Sequence, residues 1–115
     1  PAIAAALGFE GTGEYRGCFL YFGSSARGPY IDLLEWKDPA PPVERSARNI
    51  GLARVAFEVD NLEEHLERLE QHGVPLVSPP TDVLLGVTRL RVVCFRDPDG
   101  VLLEFVEFAK KAWGA

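Results

Sequence analysis

From Leu52 to Val59 the chain alternates, with Ala53, Val55, Phe57 and Val59 on one face and Leu52, Arg54, Ala56 and Glu58 on the other, which predicts a β-strand. The period then changes. Leu62, Leu66 and Leu69 form one apolar stripe, Asp60 stands as a candidate N-cap with Glu63 three residues on, and Gly73 marks a stop. The spacing predicts an amphipathic helix of about three turns. Beyond Pro75 and the Pro79-Pro80 break, a short strand is predicted at Val83 to Leu85, a longer one at Thr88 to Phe95 and a last one at Val101 to Phe108. Asp97-Pro-Asp-Gly100 is a turn signal that joins the last two as a hairpin. Residues 51–109 therefore read as a βαβββ module.

Part of that module occurs earlier. Ile31-Asp-Leu-Leu-Glu-Trp36 matches Leu103-Glu-Phe-Val-Glu-Phe108, Cys18-Phe19 precedes the first as Cys94-Phe95 precedes the second, and Leu7-Gly8-Phe9 resembles His72-Gly73-Val74. Residues 1–39 thus read as the remainder of a first module, with Pro1 to Leu7 as the tail of its helix. Residues 40–50 read as a linker and 110–115 as a tail of one domain, 1–115. If Gly8 answers to Gly73, the counterpart of Arg54 falls upstream of Pro1. The repeat also places an acid mid-strand at Asp32 and at Glu104. Burying an unpaired carboxylate costs several kcal/mol, so the repetition points to two matched halves facing one polar spot.

Composition bounds the function classes. The chain has 115 residues, 47% of them hydrophobic and 25% charged, which suits a globular domain with one core. A formal charge of −5 with scattered arginines argues against nucleic acid as a partner. No apolar run approaches a membrane span and no basic leader is visible, so a cytoplasmic protein with no membrane association is expected. Cys18 and Cys94 lie in apolar strands without metal spacing and read as a pair of reduced core thiols. His65 and His72 lie seven apart, off the leucine stripe, and read as solvated helix surface. Gly11, Gly13, Gly17 and Gly23 lack the context of a phosphate loop and read as hairpin and loop material.

The βαβββ repeat, the segment Phe95-Arg-Asp-Pro-Asp-Gly-Val-Leu-Leu-Glu104 and the opening Gly51-Leu-Ala-Arg-Val-Ala-Phe-Glu-Val-Asp60 together resemble the vicinal-oxygen-chelate superfamily. That group holds glyoxalases, extradiol dioxygenases, methylmalonyl-CoA epimerases and bleomycin- or fosfomycin-resistance proteins. The resemblance covers the second module and, more weakly, residues 7–39. It implies an α+β fold of paired βαβββ modules forming a curved, cup-like mixed sheet, the first module being incomplete. In the metal-dependent members each module supplies ligands to one divalent metal, usually a His from its first strand and a Glu from its last. By position Glu104 matches that Glu and Asp32 is its counterpart, but Arg54 stands where the His belongs. A guanidinium has no lone pair to donate and repels a cation. Asp32 and Glu104 alone fall short of the three or four ligands of a zinc or iron site, so a bound divalent metal would require ligands upstream of Pro1. Charge alone suggests instead an Arg-carboxylate centre, with the Arg54 fork bridging Asp32 and Glu104.

Alternation names the rest of the lining. Tyr30, Leu34 and Trp36 share a face with Asp32, Leu102, Val106 and Phe108 with Glu104, and Leu52, Ala56 and Glu58 with Arg54. Glu35 and Glu107 fall on the opposite faces. Arg89 and Arg91 lie in phase on the neighbouring strand and could receive an anionic group, against the simpler reading of an exposed strand face. Arg54, Tyr30, Trp36, Ala56, Arg91 and Phe108 are therefore the expected ligand contacts, with Glu104 and Asp32 as candidate catalytic groups. A structural salt bridge is the competing account of Arg54, Asp32 and Glu104. The resulting expectation is a homodimeric small-molecule-binding protein for an apolar or aromatic ligand. Its alternatives are an enzyme, either a metal-dependent lyase, isomerase or dioxygenase or a metal-free one using Glu104 or Asp32 as base and Arg54 for an oxyanion, and a structural or regulatory subunit whose cup is closed by its own side chains.

Overall fold

Alternating apolar positions build six strands, and one change of period builds one helix, among the described residues of a computed structural model. It describes residues 5–8, 14–24, 27–44 and 46–109. The expectations for Pro1 to Ala4, Phe9, Gly11, Gly13 and the tail 110–115 lie outside the described residues. The chain divides into two compact units, Pro1–Pro42 and Val43–Ala115.

The first unit is a hairpin of β1 (Tyr15–Tyr21) and β2 (Tyr30–Trp36), paired antiparallel. The pairing sets Tyr15 against Trp36, Gly17 against Leu34, Phe19 against Asp32 and Tyr21 against Tyr30, and these eight residues share one face because side chains alternate along each strand. Arg16 and Glu35 form an ion pair on the other face. Gly17 lies inside a strand of the hairpin, and Gly23, at φ +77°, in the segment that joins its strands. A strand of Tyr, Phe, Leu and Cys absorbs one glycine because the aromatic and branched neighbours carry the β preference.

The second unit is the βαβββ module. Its elements are β3 (Arg54–Glu58), α1 (Leu62–Gln71), β4 (Thr81–Leu85), β5 (Thr88–Arg96) and β6 (Leu102–Phe108), with sheet order β3-β6-β5-β4. β3 pairs parallel with β6 and the other pairings are antiparallel, so the sheet is mixed. Leu62 and Leu69 from α1 are buried, as are Leu90, Val93 and Phe95 from β5, and they form the core among the described residues. Phe105 on β6 joins them, its ring 4.8 Å from Phe95 and 6.3 Å from Phe57.

Two details of α1 correct the sequence reading. Asn61, not Asp60, is the N-cap: its backbone is extended and its Oδ1 accepts from the Glu64 N–H at 3.3 Å, while Asp60 lies one residue too early to reach that amide. His65 is half-buried rather than fully solvated, because its ring packs edge-on against Phe105 with centroids 4.9 Å apart. Residues 62, 65, 66 and 69 follow the i, i+3, i+4, i+7 rhythm of one inward stripe, buried at Leu62 and Leu69 and half-buried at His65 and Leu66. The carboxylate of Glu107 accepts from the Leu62 N–H at 3.1 Å. An anion at a helix N-terminus meets unsatisfied amides and the positive end of the dipole.

The β5–β6 turn fixes the register of the two strands it joins. Gly100 donates to the Asp97 carbonyl at 3.0 Å, Asp97 donates to the Val101 carbonyl at 3.0 Å, and Asp97 Oδ1 accepts from the amides of Asp99 and Val101. Gly100 has φ +86°, the left-handed position that closes a three-residue hairpin loop. This geometry sets Cys94 directly opposite Glu104.

Candidate functional site

On the side of the sheet away from α1, β3 presents Arg54 and Ala56, β6 presents Leu102, Glu104, Val106 and Phe108, and β5 presents Val92 and Cys94. At its centre Arg54 Nε lies 3.1 Å from Glu104 Oε2. The Cys94 thiol, across the ladder, donates to the same oxygen at 3.6 Å. The Glu104 side chain is 14% exposed and that of Arg54 is 52% exposed, so the carboxylate sits low in the surface with the guanidinium as its lid. Burial, then the negative charge of Glu104 and the hydrogen bond to it, push the Cys94 thiol above its ordinary value, with Arg54 pulling the other way. Cys94 therefore stays a thiol and a proton donor at neutral pH.

Both partners hold Oε2. No hydrogen bond to Glu104 Oε1 or from the terminal guanidinium nitrogens of Arg54 occurs among the described residues. An acceptor and a forked donor left side by side match a ligand that carries a hydrogen-bond donor next to an oxygen. Ala56 lies opposite Glu104 in the β3–β6 register, and Phe108 stands at the end of the same face, 43% exposed.

Arg91 does not join this pair. Arg91 falls on the helix side of the sheet, where it pairs with Glu63 of α1 and approaches Asp82 at 3.9 Å, because it is in phase with Val93 and Phe95 rather than with Cys94. A groove of about 400 Å³ opens there, lined by Asp82, Leu84, Arg89, Arg91, Glu107 and Ala109 among others. Asp32, Tyr30 and Trp36 share one face of the first unit, and Asp32 is exposed with no ion pair or hydrogen bond among the described residues. Sequence reasoning missed Cys94 as a neighbour of Glu104, although the Asp97-to-Gly100 turn sets their register. It also placed both thiols in the core, whereas Cys18 is exposed and Cys94 half-buried.

The model of the Glyoxalase/Bleomycin resistance protein/Dioxygenase superfamily matches residues 5–105. The chain belongs to this superfamily. The uncharacterized protein YaeR of Escherichia coli strain K12 is 37% identical over 82 residues, 70% of this chain and 60% of that protein, so the match spans less than two thirds of this relative. Among solved structures, the glyoxalase family protein from Enterococcus faecalis superposes with a TM-score of 0.57 at 26% identity, covering 91% of this chain and 82% of the other. A glyoxalase family protein from Bacillus cereus gives 0.55 at 25% identity, covering 70% and 54%.

Members that use a divalent metal hold it with side chains that donate lone pairs. Here a guanidinium lies against Glu104 at the position where the superfamily resemblance calls for a His, and no group of three or more His, Cys, Asp or Glu able to hold a metal occurs among the described residues. The described donor set does not fit such a metal.

Proposed function

We propose that this superfamily member binds a small apolar or aromatic molecule through an Arg-carboxylate centre built on Arg54 and Glu104. The observation that carries the reading is the 3.1 Å pairing of Arg54 Nε with a carboxylate that is mostly withdrawn from solvent. Arg54 and Cys94 fix one oxygen of Glu104 and leave the other to accept a ligand N–H or O–H, while the free end of the Arg54 fork takes a ligand oxygen. Ala56, Val106 and Phe108 on the same face offer apolar contact, and apolar walls with a few convergent polar groups are the usual make-up of a small-molecule site. Tyr30, Trp36 and Asp32 on the first unit offer contacts of their own in this proposal. The competing role of Arg54 and Glu104 as a purely structural pair predicts no ligand response at all.

Two measurements test it. Benzamide, which carries an adjacent carbonyl and N–H on an aromatic ring, should shift the amide NMR signals of Arg54, Ala56 and Glu104, and a flat titration at those residues refutes the reading. Elemental analysis of protein purified without chelator should find no stoichiometric divalent metal held by Glu104. A parent that already carries about one metal per chain held by Glu104 overturns the Arg-carboxylate centre.

The proposal extends to assembly and location. β3 ends the second sheet with its outer backbone edge unpaired in that sheet, and unpaired edges favour association, so the chain is assigned a homodimer; a monomer mass by light scattering at micromolar concentration refutes this. The thiols of Cys18 and Cys94 are free, which suits a reducing cytoplasm.

A further inference from the structure

The hairpin of the first unit has an unusual composition on one face. Tyr15, Phe19, Tyr21, Tyr30 and Trp36 all lie on it, and the only charged group among them is Asp32. The rings form two clusters. Tyr15 and Trp36 stand 5.4 Å apart at one end, while Phe19, Tyr21 and Tyr30 pack at 5.2 to 6.3 Å at the other. Gly17 lies between the clusters. A Cβ added there would meet Leu34 at 3.6 Å, Tyr15 at 3.6 Å and the Asp32 Oδ1 at 3.9 Å. Gly17 thus leaves the strand surface one side chain lower, beside an aromatic ring, an aliphatic side chain and a carboxylate oxygen.

Neither Gly17 nor Asp32 is needed for the hairpin itself. A glycine inside a strand weakens it, and here its backbone has no left-handed φ that would require it. Asp32 has no hydrogen bond or ion pair among the described residues, and Phe19, Tyr21 and Tyr30 are 56%, 49% and 55% exposed. Aromatic faces carry negative quadrupole density that attracts cations, most strongly weakly hydrated ammonium groups. A lone carboxylate at the same spot adds to that attraction, and the formal charge of −5 on the chain points the same way. A metal ion or a protonated primary amine would lose hydration without regaining it from a single carboxylate. An alkylated ammonium has little hydration to lose and a methyl to place over Gly17.

We infer that the Tyr15–Tyr30 face of this hairpin binds small quaternary or methylated ammonium compounds, with Asp32 as counter-ion, Phe19 and Tyr30 as π-faces and Gly17 as the seat for one N-methyl group. The inference rests on the small-molecule-binding reading above and gives its first-unit contacts a charge preference, at residues other than Arg54 and Glu104.

The test is an NMR titration of the full chain with choline and, in parallel, with 3,3-dimethylbutan-1-ol, which has the same shape without the charge. Choline should shift the amides of Gly17, Phe19 and Asp32 with an affinity about fivefold or more above the neutral alcohol, the sum of a cation–π contact and one exposed ion pair. Asp32→Asn should erase that preference while leaving the alcohol unchanged. Gly17→Ala fits at ordinary contact distances, so the fold survives, and it should weaken choline several-fold by filling the space over Gly17. Equal affinity for the two compounds overturns cation recognition and leaves an apolar small-molecule site standing. No shift at these residues with either compound overturns the inference, and the benzamide titration at Arg54 and Glu104 then shows separately whether small-molecule binding survives.

Discussion

A double-mutant cycle on Arg54 and Glu104 tests whether the pair is an energetic unit. Fully exposed ion pairs are worth about 0.2 to 1 kcal/mol, and breaking a fully buried one costs about 3 to 5 kcal/mol. With side chains 14% exposed for Glu104 and 52% for Arg54, the pair lies nearer the first limit, since solvent reaches half of the guanidinium. We expect Arg54→Ala to cost about 1.5 kcal/mol, because it leaves a withdrawn carboxylate with only the Cys94 thiol. Glu104→Gln should cost about 1 kcal/mol, keeping the shape and one oxygen. The double variant should be less damaging than the sum, with a coupling energy of about 1 kcal/mol, a factor of about five in the folding constant. Urea unfolding followed by circular dichroism at about 222 nm reads α1, which is in the same unit. A coupling within about 0.3 kcal/mol of zero would mean that the 3.1 Å approach is incidental, and the Arg-carboxylate centre would lose its energetic basis.

Other expectations are more local. Iodoacetamide at about pH 8 should label exposed Cys18 well before Cys94, whose rate should rise only at higher pH because burial and Glu104 hold its proton; equal labelling contradicts the thiol donor role. Because the folded Cys94 binds its proton more tightly than the unfolded chain does, stability should fall as pH rises through the unfolded thiol value of about 8.5 toward the folded one, and Cys94→Ser should flatten that slope. Asn61→Ala should cost about 1 kcal/mol and Asp60→Ala less than half of that, a ranking that inverts if Asp60 is the true cap. Leu62→Ala, at a position with no exposure, should cost about 3 kcal/mol, and a loss under about 1 kcal/mol would place Leu62 outside the core.

The second module was legible because its signals are local: one change of hydrophobic period, a proline break and an Asp-Pro-Asp-Gly turn. Element ends were less so. β3 starts at Arg54 rather than Leu52 and β4 reaches back to Thr81, since pairing, not propensity, decides where a strand stops. Asp60 and Asn61 are both good caps, and sequence does not choose between neighbours. His65 was misplaced because leucines alone defined the stripe. Alternation correctly grouped Tyr30, Asp32 and Trp36 on one face, but Phe19 and Gly17 reach that face only through cross-strand register, which has no local signature in β1. The register of Cys94 with Glu104 could have been counted outward from the turn, and the same count places Arg91 beside Glu107 instead of Glu104.

The order of strands in the second sheet also governs how the protein is made. β6, the final strand of that unit in the chain, lies between β3 and β5, so the unit acquires its middle last. Until residue 104 has been synthesised, Arg54 has no carboxylate and β3 has no neighbour within the sheet. The hairpin of β4 and β5 can form earlier, but the parallel β3–β6 ladder must close a long loop, a slow and entropically costly step. A ribosome that stalls shortly before Glu104 therefore releases a chain with a strand edge on either side of an empty slot. Such a fragment would be a substrate for proteases and for its own aggregation, and the unit offers no shorter version that is safe.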